Sequence, residues 1–413
     1  MTQADTKDSR VDDMYKFINP FRPGAGHMPP HLAGREGEIK EFRELLKQDP
    51  ILRNLILTGL RGVGKTVLLD TLRPVAIQEQ WGWVGTDLSE SASITEDRIA
   101  IRILTDLSVY TSDLTIAAKT RQIAGFHRED QPAREALTHQ VILRIFNETP
   151  GLIADKLKHV LELVWGAMQS HDQRGIVFAY DEAQNMADHA EKNEFPLSLL
   201  LDVFQSVQRK GMRFILVLTG LPTLFSKLVE ARTYSERMFH VVFLDHLEAA
   251  ASREAILVPI REAKCPFQPT DQAVGAIIKI TGGYPYFIQF VCKEVYDIWL
   301  RVGNRSIPIA ELLAKLDVDF FSARWAKATD RQRDLLRIVA QLPTCDAEFT
   351  GLEIVACSKQ FLRKPFSSSH VNQMLGSLQD SGLVYKNRHG KYSFAVPLLG
   401  QFIKRQTEQD LTT

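Results

Sequence analysis

Leu55-Ile-Leu-Thr-Gly59-Leu-Arg-Gly62-Val-Gly64-Lys65-Thr66 joins an apolar run, three glycines and a Lys-Thr pair in one short stretch. Leu55 to Thr58 suits a buried strand, and Gly59, Gly62 and Gly64 can take positive φ without a Cβ penalty. Val67-Leu68-Leu69 then supplies residues for the buried side of a helix. The spacing G-x-x-x-x-G-K-[ST] is met at Gly59, Gly64, Lys65 and Thr66 without a mismatch. In that geometry the loop from Gly59 through Leu60, Arg61, Gly62, Val63 and Gly64 to Val67 aims backbone amides and a helix N-terminus at a β-phosphate. Lys65 then reaches the β and γ oxygens and the Thr66 hydroxyl binds Mg²⁺.

Working outward, the next strong strand is Gly175-Ile-Val-Phe-Ala-Tyr180, which ends in Asp181-Glu182. A continuous apolar run suits a strand covered on both faces. Two carboxylates at its end are what a phosphate loop needs: Asp181 for the hydration shell of Mg²⁺, and Glu182 to orient and activate the attacking water. A third buried run, Arg213-Phe-Ile-Leu-Val-Leu-Thr219-Gly220, ends at Thr219. That hydroxyl either touches the γ-phosphate or the water, or caps the following turn. Arg232 and Arg237 in Glu230-Ala-Arg232-Thr-Tyr-Ser-Glu-Arg237 either reach a phosphate on a neighbouring subunit or form surface ion pairs.

The interval from about Trp81 to Arg174 reads as a helical insertion, with helical spacing in Ile99 to Leu107 and Ala154 to Val164. Its polar middle, Thr120 to Arg134, suits a solvated connector. Upstream, residues to about Lys16 read as a mobile tail. Asn19 to Gly26 is too rich in Pro and Gly for a helix, and a helix follows from about Glu36 to Asp49. Downstream of Asp245, Ala249 to Ala263, Asp271 to Ile280 and Tyr286 to Leu300 form a small helical domain, broken by Thr281-Gly-Gly-Tyr-Pro285. The last part gives three short helices, Asp330 to Ala340, Thr350 to Ser358 and Ser367 to Ser381. Two strands around the basic turn Lys386-Asn-Arg388-His-Gly-Lys391 close it. That is a winged helix. Ser368, His370, Asn372 and Gln373 on its third helix can meet base edges, while Lys386, Arg388 and Lys391 can meet phosphates.

Composition is ordinary for a globular protein. The chain has 413 residues, 45% apolar and 24% charged, and its 50 Lys and Arg balance 50 Asp and Glu. Nothing in the net charge argues for nucleic acid or an anionic membrane, so any basic face is local. From Trp325 onward, twelve Lys and Arg face eight Asp and Glu. Cys265, Cys292, Cys345 and Cys357 lie far apart, which removes the usual zinc and redox spacings. No stretch approaches a membrane span and the N-terminus has no apolar leader, so a cytoplasmic location without membrane contact is expected.

These pieces, in this order, resemble the AAA+ ATPases of the initiator clade, of the archaeal and eukaryotic origin-recognition type, and the related STAND-like ATPases. The resemblance runs from about Met28 to Arg405. Pro30-His-Leu-Ala-Gly34-Arg35-Glu36, with Leu32 and Arg35, looks like the adenine-side motif. Gly59 to Thr66 resembles the Walker A loop and Asp181-Glu182 the Walker B acids. Thr219 falls at sensor 1, Tyr234-Ser-Glu-Arg237 is similar to the arginine-finger segment, and Thr281-Gly-Gly-Tyr-Pro285-Tyr resembles the lid motif. Initiators usually carry a sensor 2 arginine in that lid motif. Here Gly283-Tyr284-Pro285-Tyr286 has none and looks more like the Gly-x-Pro motif of STAND proteins.

The resemblance implies an α/β fold with a P-loop AAA+ base on a parallel sheet, a helical lid and a C-terminal winged helix. The expected division is a tail over 1–26, a base over 27–245 with the insertion at about 85–174, a lid over 246–317 and a winged helix over 318–413. It implies an ATP- and Mg²⁺-dependent, slow, regulatory ATPase that acts as an ATP-controlled switch on double-stranded DNA or as an assembly factor, with self-association or a protein partner. The alternative is a STAND-like signalling or scaffold ATPase whose winged helix binds protein. A small-molecule kinase is disfavoured by the helical lid and the C-terminal domain.

Overall fold

A computed structural model describes residues 18–24, 26–89, 91, 94–117, 134–302, 307–388 and 390–412. The tail expected up to Lys16 and most of the connector Thr120 to Arg134 lie outside the described residues. The chain divides into two compact units: Gly37–Thr58 with Leu68–Phe243, and Met1–Glu36 with Gly59–Val67 and Leu244–Thr413.

In chain order the elements of the first unit begin with α1 (Glu36–Leu46), β1 (Asn54–Gly59), α2 (Lys65–Gln78) and β2 (Trp81–Val84). They continue with α3 (Glu96–Thr111), β3 (Thr115–Ala117), β4 (Arg134–Ala136), α4 (His139–Glu148) and α5 (Ile153–Met168). β5 (Gly175–Tyr180), α6 (Pro196–Arg209), β6 (Phe214–Gly220), α7 (Thr223–Ala231), the single turn α8 (Ser235–Met238) and β7 (Phe239–Leu244) complete it. The five long strands form one sheet in the order β2-β5-β6-β1-β7. Pairing is parallel from β2 through β5 and β6 to β1. β1, β5 and β6 are buried along their whole length, as their unbroken apolar runs require.

One polar network fixes the register of β1 against β6. Asn54 is fully buried; its Oδ1 accepts from Leu216 N and from Gln208 Nε2, both at 2.8 Å, and Gln208 also donates to Phe214 O at 2.7 Å. Satisfied on all sides, this network costs little to bury and penalises any slipped pairing. Around it Phe178 packs edge-on against Phe204 and Phe214.

The interval expected to be a helical insertion is mixed. It contains α3, α4 and α5, together with the antiparallel pair β3–β4, in register at Thr115 with Ala136. β2, just before it, extends the central sheet by pairing with β5, with Trp81 opposite Gly175 and Val84 opposite Phe178. Trp81-Gly-Trp-Val is too short for periodicity to reveal. Its β-forming side chains gain by burial beside β5.

The second unit holds α9 (Ala249–Glu262), α10 (Asp271–Thr281) and α11 (Pro285–Val302), then α12 (Ile309–Leu316). Its C-terminal part has α13 (Asp330–Gln341), β8 (Phe349–Thr350), α14 (Gly351–Phe361), α15 (Ser368–Asp380), β9 (Val384–Arg388), β10 (Lys391–Phe394) and α16 (Leu399–Thr412). The three helices α13, α14 and α15 accompany the three-stranded antiparallel sheet β8-β10-β9. Thr329, Thr350 and Ser367 each cap a helix by accepting a backbone N–H. The chain closes with α16 rather than with the hairpin: Leu399, Phe402 and Ile403 are buried.

The Pro- and Gly-rich N-terminal segment is ordered by α11. Asn19 Nδ2 donates to Lys293 O and Asp297 Oδ1 at 2.9 Å, and Phe21 is buried with its ring 5.7 Å from that of Tyr296. All four cysteines are free; three are buried and Cys357 is half-buried. Burial pushes each of the four thiols above its ordinary value. No helix among the described residues is long and apolar enough to cross a membrane.

Candidate functional site

The loop after β1 leaves the strand at Gly59, where a Cβ would lie 2.3 Å from the Leu244 carbonyl oxygen, so only glycine fits. Gly62 and Gly64 take φ of +83° and +89°, which turns the backbone into the start of α2. Lys65 opens that helix, and its ammonium donates to the carbonyls of Gly59 and Leu60, each at 2.9 Å. The positive side chain thus arches back over its own loop, and no acidic residue stands in the first turn to oppose an anion there. Thr66 follows in that turn.

Beside the loop is a cleft lined by Leu32, Arg35, Gly62, Val63, Gly64, Val67 and Pro285 among the residues anticipated for nucleotide. Arg22, His27, His31, Tyr286 and Gln289, which carried no motif, line it as well. Two devices hold its walls. Arg35 is buried and donates to Val63 O at 3.1 Å and to Asp245 O at 2.8 Å, so it braces the loop. Tyr286 N donates to Gly62 O at 3.1 Å, which ties the first turn of α11 to the loop. The lid motif makes this approach possible: Gly282 and Gly283 have φ of +57° and +75°, and a Cβ on Gly283 would sit 2.5 Å from Leu247 O.

In the other unit, Asp181 is buried at the end of β5 and is bound by backbone on both sides, with Asp181 N donating to Thr86 O and Leu88 N to Asp181 O. Its Oδ1 accepts from Glu182 N at 2.8 Å. Glu182 is exposed with φ of +52°, a strained conformation for a residue with a Cβ, and it accepts from Gln184 Nε2. Gln184 then spans to β6: its Oε1 accepts from Leu221 N at 3.0 Å and its carbonyl from Lys227 Nζ at 2.7 Å, an ammonium that burial pushes down. Gly220 gives it room, since a Cβ there would lie 2.6 Å from Gln184 Oε1. Gln184 thus links the second acid to the end of β6, a role that only its hydrogen bonds reveal.

Thr219 is fully buried in β6 beside Leu57 of β1, and Thr58 is buried opposite Gly220. Among the described residues neither hydroxyl has a hydrogen-bond partner. The two arginines of the next segment separate. Arg232 forms a two-bond ion pair with Asp202, which also accepts from Tyr234 Oη. Burial raises the Asp202 carboxyl, but those hydrogen bonds outweigh it and hold the group below its ordinary value. Arg237 on α8 is exposed and makes no ion pair among the described residues. A further cavity in this unit is lined by Asp70, Arg73, Trp83 and Asp87, where burial and then Asp87 push the Asp70 carboxyl up.

In the C-terminal part, Ser368, His370, Asn372 and Gln373 are exposed on α15, whose opposite face buries Val371, Leu375 and Leu378. Lys386 is exposed and Lys391 half-buried on the two wing strands; the Arg388 side chain lies outside the described residues. Asn387 is turned inward, donating to Glu348 and Ser393. Arg363 and Lys364, exposed in the turn before α15, add two cations that the motif reading passed over. No group of His, Cys, Asp and Glu among the described residues could hold a metal by itself.

An AAA ATPase domain model matches residues 31–260, and a domain of unknown function matches residues 318–403. No curated protein matches the chain. Among solved structures, a Walker-type ATPase of Pyrococcus abyssi is 17% identical, with 90% of this chain and 96% of that one covered at a TM-score of 0.56. The ORC2 protein of Aeropyrum pernix, in its ADPNP–ADP complexes, is 15% identical, with 95% and 98% covered at 0.51. Its ADP form is 15% identical, with 93% and 97% covered at 0.52. At these identities the likeness is one of fold.

Proposed function

Because the chain belongs to the AAA ATPase domain family, we propose that it is an ATPase whose bound nucleotide controls double-stranded DNA binding by the winged helix. One observation carries this reading. The phosphate loop, Gly59–Val67, packs into the same compact unit as the lid helices and the winged helix. A nucleotide that changes the loop therefore acts on the body that carries α15 and the wing. The division that goes with it is a base over 27–245, a lid over 246–317 and a winged helix over 318–413.

In this reading Lys65 and the loop amides take the β- and γ-phosphates, Leu32 and Pro285 flank the base, and Mg²⁺ is held by Thr66 with Asp181 behind its water shell. Glu182, oriented by Gln184, activates water, and the unpaired hydroxyl of Thr219 is available to it. Arg237, which makes no ion pair among the described residues, serves a phosphate on a neighbouring subunit. Lys386, Arg388, Lys391, Arg363 and Lys364 meet DNA phosphates while Ser368, His370, Asn372 and Gln373 face base edges. A cytoplasmic setting goes with such a partner.

The test is a gel-shift of labelled duplex with and without ATP at several salt concentrations. Binding should depend on nucleotide in the wild type and not in Lys65→Ala. Neutralising Lys386 and Lys391 should flatten the salt slope by roughly one unit for each DNA phosphate left without its cation. One observation favours the second reading, a scaffold ATPase: Leu352 and Phe361, near the two ends of α14, are 75% and 59% exposed, separate apolar side chains that a protein partner would cover. A wild type that ignores duplex at low salt with ATP present selects that reading.

A further inference from the structure

The lid motif supplies no arginine, yet a guanidinium stands near the phosphate loop from another place in the chain. Between α12 and α13 the backbone widens into a π-helical stretch, Asp317–Ser322, and continues through Ala323–Trp325. Phe320 of this stretch packs its ring 5.4 Å from that of Tyr286 and 4.9 Å from that of Phe287. Tyr286 in turn lines the cleft and donates its N–H to Gly62 of the loop. Arg324 lies over the Phe320 ring, 4.4 Å from its centroid, and donates to the Phe320 carbonyl.

No carboxylate pairs with Arg324 among the described residues. The charge that bears on the half-buried guanidinium is Arg61 of the loop; burial first, and then Arg61, push it below its ordinary value. Two like charges held beside a phosphate loop are relieved by an anion. The far end of the same stretch is fastened to the last helix: Arg405 of α16 forms a two-bond ion pair with Asp317, and Phe321 stacks on Phe402 at 5.1 Å.

We propose that Arg324 senses the terminal phosphate of a nucleoside triphosphate: with Arg61 it binds that charge, and the segment Asp317–Ser322 carries its movement to the winged helix. This rests on the nucleotide reading of the loop and adds to it the residue that tells triphosphate from diphosphate. A charged hydrogen bond of this kind corresponds to about tenfold in affinity.

The experiment measures binding of fluorescently labelled ATP and ADP to the full chain. Arg324→Met keeps an apolar stem against Phe320 and removes the charge; it should weaken ATP about tenfold and leave ADP within about twofold. Arg324→Lys should recover part of the loss. Arg61→Ala, at an exposed loop position, should shift the ATP-to-ADP ratio in the same direction, and it serves if Arg324→Met does not fold. Equal weakening of both nucleotides by these variants, or no change in the ratio, overturns the proposal. A wild type that binds neither nucleotide overturns the reading of the loop itself.

Discussion

In the proposed ATPase, Lys65 would hold phosphate charge and Glu182 would serve the attacking water. Lys65→Ala should lose ATP affinity by roughly tenfold to a hundredfold, since it removes the ammonium that arches over the loop carbonyls. Glu182→Gln should bind ATP as the wild type does while turnover falls by roughly a hundredfold or more. Steady-state phosphate release alongside equilibrium binding separates the two, and parental turnover in Glu182→Gln removes its assigned role. Asp202 offers a residue-scale test that needs no ligand. Its carboxyl is depressed, so its contribution to stability is present above the unfolded carboxylate value, about 3.9, and is lost as pH falls through the lower folded value. Arg232→Gln should therefore be less stable than wild type near pH 7, by no more than about 1 kcal/mol because the pair is well solvated. The gap should shrink at pH 3, and urea midpoints at the two pH values decide it; an unchanged gap would refute the assignment.

At the scale of elements, legibility followed burial. β1, β5 and β6 announce themselves because strands covered on both faces need unbroken apolar runs, and the acids at the end of β5 stand where such a strand must stop. β2 was hidden because four residues with a central glycine show no period, and β3–β4 because the register of a three-residue pair is set by partners and not by pattern. α16 carries few apolar residues and a polar outer face, so it shows no pattern of its own; its packing against the C-terminal helices decides it. Gln184 and Tyr286 bind partners far away in sequence, which no local spacing encodes. The glycines of the lid motif can be tested against an indifferent one. Gly283→Ala adds a Cβ at φ of +75° and 2.5 Å from Leu247 O, and should cost about 1–3 kcal/mol and lower the melting temperature. Gly275→Ala, inside α10 with nothing within 4 Å, should be neutral or stabilising by up to about 1 kcal/mol. Equal melting temperatures for the two variants would show that the turn tolerates a side chain.

For the whole molecule, the contrast between Arg232 and Arg237 bears on assembly. Arg232 is committed to Asp202, whereas Arg237 is left exposed on a single turn before an edge strand. If Arg237 completes a neighbour's site, ATPase activity per chain should rise with protein concentration and Arg237→Ala should abolish the rise. A rate per chain that stays constant over a wide dilution series, in both proteins, would leave Arg237 as a surface charge. The four free cysteines give the same molecule a built-in clock. Cys265 and Cys292 are sealed in the helical core that borders the cleft, while Cys345 and Cys357 belong to the C-terminal part around α13 and α14. With their thiols pushed up and buried, Cys265, Cys292 and Cys345 should be alkylated at neutral pH through opening events, whereas half-buried Cys357 can react without one. The order in which the four sulfurs acquire a label, followed by mass spectrometry with and without nucleotide, would therefore time the breathing of each body separately, with no engineered probe in the chain.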